Sequence, residues 1–344
     1  MKAAYIGILS PGSTSRMRAD ALSTLTPGAT WTRVDTDSPF QNSAKIWRSA
    51  AYRFKRGPAV DRVSRAVSDA IRGKRFDLIW IDKGVFLDEQ TMDSIRSAAR
   101  RMVHFTPDTS FYANRSALFE RSMPLFDLLV TTKSFELDNY HARVTPERVM
   151  LTTQGYDPAV HYPRNGPEGR RKEAVFVGWA EPDRERCVAA LLEAGAPVRL
   201  GGIGWRHFLR KWKDHPSLRF EGEQIFGDAY ATLFSRAWIG LGLLTKRIPE
   251  LHTTRTFEIP ACGGVLATER TADTTRMFAN DEALFFEDYE SLAQRISELL
   301  RGDDISPLEH LAAAGTRRVM SDGRDYATIL AGILAHPRLA LGDR

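Results

Sequence analysis

The chain has 344 residues, 43% of them hydrophobic, which is enough for two domains of ordinary size, each with its own core. Its 48 Lys and Arg against 43 Asp and Glu leave a net charge of +5, and no nucleic-acid-binding motif accompanies that surplus. The two cysteines, Cys187 and Cys262, have no histidine at metal-ligand spacing, which argues against a disulfide scaffold and a structural zinc site and for a reducing, cytoplasmic setting.

The chain opens with a short apolar run, residues 5–9, interrupted by Pro11-Gly12. It is expected to be a first buried strand and not a signal peptide, since no small-residue cleavage site follows. Residues 10–16 then form a turn into a helix from about Met17, and Gly12 gives that turn room for a ligand or merely for the backbone. The whole charge excess lies in the first half: 23 basic against 17 acidic residues over 1–160, and 25 against 26 after that. Between Lys45 and Arg75 stand ten basic residues with only Asp61 and Asp69, interleaved with Trp47, Tyr52 and Phe54. Two readings stand for this stretch, a solvated helix face and a patch for anionic lipid headgroups or an anionic acceptor at the inner face of a membrane.

Residues 61–73 have helical spacing, 77–82 read as a buried strand closing on Lys83-Gly84, 89–101 as a helix and 102–106 as a strand. A strand over 125–132, a helix near 135–142 and a strand around 148–151 complete the first half. Strands interleaved with crossover helices imply a parallel sheet covered on both faces. Ligands of such sheets sit at the carboxyl ends of the strands, where Asp108 follows the strand carrying His104. Asp108 serves there either as a cap near Ser110 or as an acceptor contact. His104, inside an apolar strand, is expected to be a core residue.

Residues 154–163 leave the first domain, and the polar run 164–172 has the composition of a linker. The second half restarts with a strand over 174–177 closed by Gly178. A glycine directly after a buried strand, with Arg184 and Arg186 opening the next helix, suits a diphosphate. Trp205, after a glycine-rich turn, lines a base or fills the core, and Phe220 lies in a short extended piece. Lys246, just past the buried strand 237–244, reaches a phosphate or is ordinary loop charge.

The organising stretch is 250–268, a loop, a short helix and a strand. Thr253 and Thr254 carry hydroxyls able to cap the helix, and Gly263 and Gly264 are expected to end it with positive φ. Arg255 adds a fixed charge at its amino end, and Glu258, one turn on, can accept two hydroxyl hydrogen bonds, as a ribose offers. Pro260 removes one hydrogen bond from the helix interior.

Two glutamates with seven residues between them, Glu250 and Glu258, the second on a helix ending Ala-Cys-Gly-Gly, resemble the donor-site motif of retaining GT-B glycosyltransferases. The wording around Arg255–Gly264, followed by Asp281-Glu-Ala-Leu-Phe-Phe, is most similar to the CgeB-like group. The resemblance implies an α/β protein of two Rossmann-like domains facing across a cleft: an acceptor domain over 1–165, a nucleotide-sugar domain over 173–320, and a C-terminal helix, 321–344, crossing back. It implies Gly178, Arg184, Trp205, Lys246, Thr254, Arg255 and Glu258 as donor-binding residues, with Glu250 and Asp108 at the reaction. No metal or other cofactor is expected beyond the nucleotide sugar. The acceptor would be a hydroxyl of a cell-envelope glycan, a lipid-linked sugar or a protein, and no nucleic acid. A sugar-nucleotide epimerase on the same fold and a non-catalytic sugar-binding protein are the alternatives.

Overall fold

A computed structural model describes residues 1–112 and 114–340. The chain divides into two compact units, residues 1–153 together with the segment from Tyr326 onward, and residues 154–325. Among the described residues no helix is long and apolar enough to cross a membrane.

The first unit is built on a parallel sheet of β1 (Lys2–Gly7), β2 (Thr30–Asp35), β3 (Phe76–Asp82), β4 (Ala99–Thr106), β5 (Leu128–Thr131) and β6 (Val149–Leu151), in the order β2-β1-β3-β4-β5-β6. Its central strands are apolar throughout because helices cover both faces: Ala3 to Ile6 and Leu78 to Ile81 are fully buried. The helix Pro58–Ile71 supplies one cover through Val60, Val63, Val67 and Ile71, spaced at three and four residues. It starts at a proline after Gly57 at φ 102°. β2 has no such run. Only Val34 is buried in this edge strand, so periodicity did not disclose it. Residues 45–75 form two helices, Lys45–Phe54 and Pro58–Ile71, because Lys55 at φ 52° and Gly57 turn the chain between them. The helix Tyr326–Leu334 belongs to this unit, with the Tyr326 ring against the Arg18 guanidinium at 5.4 Å.

The second unit carries β7 (Arg171–Val177), β8 (Val198–Gly201), β9 (Leu218–Phe220), β10 (Ala237–Leu241), β11 (Val265–Glu269) and β12 (Leu284–Phe286), all parallel, in the order β12-β11-β10-β7-β8-β9. Residues 164–172, polar enough to read as a linker, are tied into this unit. The Arg164 N–H donates to Ser235 Oγ at 2.6 Å, and Arg170 donates to the Ala237 carbonyl at 3.2 Å. β10 ends at Leu241, so residues 242–254 are a long loop and not the end of a strand. The strand order reverses between β1 and β3 in the first unit and between β7 and β10 in the second, the points where open parallel sheets leave a crevice for ligands.

Candidate functional site

At the β7/β10 reversal two arginines converge. Arg184, in the first turn of the helix Pro182–Glu193, donates to the carbonyls of Trp179 at 3.1 Å and Leu243 at 3.5 Å. Arg255, first residue of the helix Arg255–Ala261, donates to the Leu243 carbonyl at 3.3 Å and to that of Val177 at 3.4 Å. Both guanidinium carbons stand over the Phe176 ring, 5.6 and 5.4 Å from its centre. Arg184 is 6% exposed, and burial first, then the Arg255 charge, lower its pKa. Each Nε is buried without an acceptor, and so is Thr253 Oγ1. Two like charges sharing one carbonyl, with donors to spare, form a site that gains by receiving an anion. Gly178 lies between them. A Cβ there would stand 3.5 Å from Arg255 Nη1 and 2.8 Å from the Phe176 ring, while a Cβ on Gly202 would strike the Gly178 carbonyl at 2.1 Å.

The loop after β10 is braced by carboxylates. Glu181 pairs with Arg184 at 3.1 Å and accepts from Thr245 Oγ1 at 2.7 Å; Glu250 accepts from the Thr245 N–H at 3.4 Å and lies within electrostatic reach of Arg184. Glu269 accepts from the Leu244 N–H, and burial raises its pKa. Lys246 pairs with Glu269 at 3.2 Å and is half exposed, so it is neither a lone loop charge nor an unengaged cation. Glu181 and Glu269 had no motif to mark them in the sequence, because the loop after β10 that they share is distant from either along the chain, 64 residues separating Thr245 from Glu181 and 25 separating Leu244 from Glu269.

The helix Arg255–Ala261 runs through Pro260 and ends in a Schellman turn: Gly264 N–H to the Ile259 carbonyl at 3.1 Å and Gly263 N–H to that of Pro260 at 2.8 Å. Only Gly263, at φ 80°, takes the left-handed conformation; Gly264 does not, contrary to the expectation from sequence. The amino end differs too. Thr254 makes no side-chain cap, and Thr256 Oγ1 instead reaches back to accept from the Thr253 N–H at 3.1 Å. Glu258 is 5% exposed and accepts from Tyr230 Oη at 2.7 Å, with His161 Nε2 at 3.8 Å from its other oxygen. Because the Asp157 N–H donates to His161 Nδ1, the ring proton of the neutral imidazole sits on Nε2, facing the carboxylate. Burial and then Glu258 push the Tyr230 hydroxyl well above its ordinary pKa, so it remains a donor. The carboxylate retains lone pairs for further donors.

Trp205 is corrected by the structure. It is 1% exposed, packs against Phe176 and Phe208, and spends its indole N–H on the Gly178 carbonyl at 2.9 Å. It buttresses the glycine turn from within and presents no face to a base. The exposed aromatics of these loops are Trp179 at 64%, Phe226 at 59% and Phe220 at 38%. Trp179 stands in no periodic pattern that would separate it from a core tryptophan.

Asp108 lies in the first unit, where Lys83 holds it at 2.6 Å. Desolvation raises its pKa, but the Lys83 charge and hydrogen bond outweigh this and lower it. It does not cap Ser110. Glu136 accepts from the N–H groups of Ser110 at 3.0 Å and Phe111 at 2.9 Å instead, which leaves Asp108 to Lys83. His104 is core, as expected, its Nε2 bonded to the Lys83 carbonyl at 2.8 Å.

Residues 183–335 match a family described as glycosyl transferase-like. No curated protein matches the chain. Among solved structures, sucrose-phosphate synthase from Thermosynechococcus elongatus is similar at 14% identity and TM-score 0.65, covering 99% of this chain and 100% of its own. Anabaena HepE in complex with UDP-glucose is similar at 13% identity and TM-score 0.63, covering 97% and 98%. An alpha-glucosyltransferase in complex with UDP is similar at 11% identity and TM-score 0.64, again covering 97% and 98%. The chain is thus similar to a glycosyl transferase-like family over residues 183–335 and shares its fold with these solved structures.

Proposed function

We propose that the protein transfers a sugar from a nucleotide-diphosphate donor to an acceptor hydroxyl of a cell-envelope glycan, a lipid-linked sugar or a protein, with retention and without a metal. The observation that carries this reading is the pair of guanidiniums, Arg184 and Arg255, converging on the Leu243 carbonyl at the strand-order reversal. A diphosphate placed there meets two fixed cations, with Lys246 close by in the same loop. Glu258, oriented by Tyr230 and His161, takes the ribose hydroxyls. Two of the similar structures are complexes with UDP or UDP-glucose, which favours a nucleotide sugar over other anions.

In the transfer, the bond from the anomeric carbon to the diphosphate oxygen breaks and a bond to the acceptor oxygen forms. The acceptor proton passes to the leaving phosphate, and a nucleoside diphosphate departs. Cations already in place where charge grows lower this barrier by several kcal/mol. Glu250 then faces the donor sugar and the positive charge that develops on it. Asp108, held by Lys83, is the carboxylate of the first unit proposed for the acceptor hydroxyl.

A thermal-shift panel of sugar nucleotides, with and without Mg²⁺, tests the reading on the wild type, Glu258→Ala and Arg255→Ala. A nucleotide sugar should raise the wild-type melting temperature equally with and without Mg²⁺, and should raise that of each variant less. Equal stabilisation of all three proteins removes the site assignment. Conversion of the bound donor into an isomeric sugar nucleotide with no acceptor present would replace transfer by epimerisation.

A further inference from the structure

The helix Lys45–Phe54 stands on the surface of the first unit with only Ala51 fully buried. It is held through Ala51 and through one edge of the Tyr52 ring, itself 59% exposed, which packs edge-on against Phe40 and Phe86 at 5.2 and 5.4 Å between centres. Large apolar side chains nevertheless stand in solvent along it. Ile46 is 70% exposed, Trp47 46% and Phe54 56%. At 100° per residue Ile46, Ser49 and Arg53 lie opposite the buried Ala51, and Trp47 and Phe54 stand at the edge nearer to it, still open to solvent. The same stretch carries Lys45, Arg53 and, beyond the helix end, Arg56, while Lys55 turns its ammonium over the Tyr52 and Phe86 rings and Arg48 bonds Gln41. The Arg53 and Arg56 guanidinium carbons lie 5.6 and 5.9 Å from the centre of the Phe54 ring. No carboxylate occurs between Asp37 and Asp61.

We infer that this helix is a docking surface for an anionic lipid bilayer, lying in the plane of the interface with Trp47 and Phe54 at headgroup depth. The two properties of the face select that occupant together. A solvated helix has no use for three large exposed apolar side chains, and cations in a stretch that itself carries no acid suit a sheet of negative headgroups. A second copy of the chain fits poorly, since it would set one such stretch of positive charge against another. The inference uses none of the residues that hold the nucleotide sugar and stands apart from that reading.

Flotation of the full-length protein with vesicles tests it, comparing phosphatidylcholine alone with phosphatidylcholine containing phosphatidylglycerol, at physiological salt. The wild type should float only with the anionic vesicles. Arg53→Glu with Arg56→Glu should lower the partition coefficient by at least about thirtyfold, since each basic residue near such a surface contributes about a fivefold factor. Trp47→Ser with Phe54→Ser should lower it by about tenfold or more through lost apolar burial. All four positions are on the surface, so both variants should keep the wild-type circular dichroism and thermal shift with nucleotide sugar. Absence of wild-type protein from the anionic vesicle fraction overturns the inference. So does unchanged flotation of the Trp47 and Phe54 variant, which would reduce the contact to diffuse charge attraction. Loss of a dimer in the variants, with no vesicle binding by the wild type, would assign the face to self-association instead.

Discussion

Each sheet reverses its strand order once and places an arginine–carboxylate pair at the reversal, yet only the second adds another arginine beside it. In the first unit Arg18 is 1% exposed and forked onto Asp82, Nε to Oδ2 at 2.7 Å and Nη2 to Oδ1 at 3.0 Å. Tyr5 Oη donates to the same carboxylate at 2.8 Å, and the guanidinium lies against the rings of Phe105 and Tyr326. In the second unit Arg184 and Arg255 crowd one carbonyl; Arg184 pairs with Glu181, Arg255 has no carboxylate among its described partners, and neither Nε has an acceptor. Arg18 has its carboxylate filled on both oxygens and is part of the packing; Arg255 has carbonyls alone, and the two unfilled Nε atoms leave donors to spare at the second reversal. Position in the fold nominates both reversals, and the count of partners separates them.

The contrast breaks if Arg18 proves dispensable. Arg18→Met strands the Asp82 carboxylate with Tyr5 and should cost about 3–5 kcal/mol in urea unfolding. Arg255→Met, which removes a cation bonded only to carbonyls, should change stability by less than about 1 kcal/mol. The same Arg255→Met variant should lose about 100-fold to 1,000-fold in turnover with nucleotide sugar, the range for removing one preorganised transition-state donor. Retained turnover would make Arg255 a second structural arginine.

His104 sharpens the structural side of the comparison, because it holds the Lys83 carbonyl just beyond Asp82. Burial lowers its pKa from 6.5 to about 4. As pH falls below about 6.5 the unfolded chain takes up the proton first, so its contribution is whole above that pH. It declines as pH falls toward 4, by about 3 kcal/mol in all. His104→Phe should lack that part of the acid slope in urea unfolding between pH 7 and 4. An unaltered slope would show that the imidazole is protonated in the native state. The smallest effect is expected from Tyr230→Phe, which deletes one of the donors orienting Glu258. Donor affinity by titration calorimetry should fall by about threefold to tenfold, with unfolding nearly unchanged. A larger loss would mean that the Tyr230 hydroxyl touches the nucleotide itself.

Much of this architecture was legible in the residues. β1, β3, β4, β7 and β11 are apolar runs ending in polar or glycine residues, and a strand buried on both faces has to look that way. The Gly263 turn was equally readable, because a helix stop with positive φ is a local demand. Local demands also led to Arg184, Arg255 and Glu258, which stand next to strand ends and helix starts along the chain. Tertiary structure alone decided which side chains meet. Tyr230 reaches Glu258 from another helix, Glu181 at a helix start and Glu269 on β11 hold the loop after β10, and Trp205 turns its indole inward to Gly178. The edge strand β2 and the pairing of Arg18 with Asp82, 64 residues apart, were invisible for the same reason. Burial and backbone geometry are written residue by residue, whereas the partner of a charge or a ring is chosen by the order in which strands assemble.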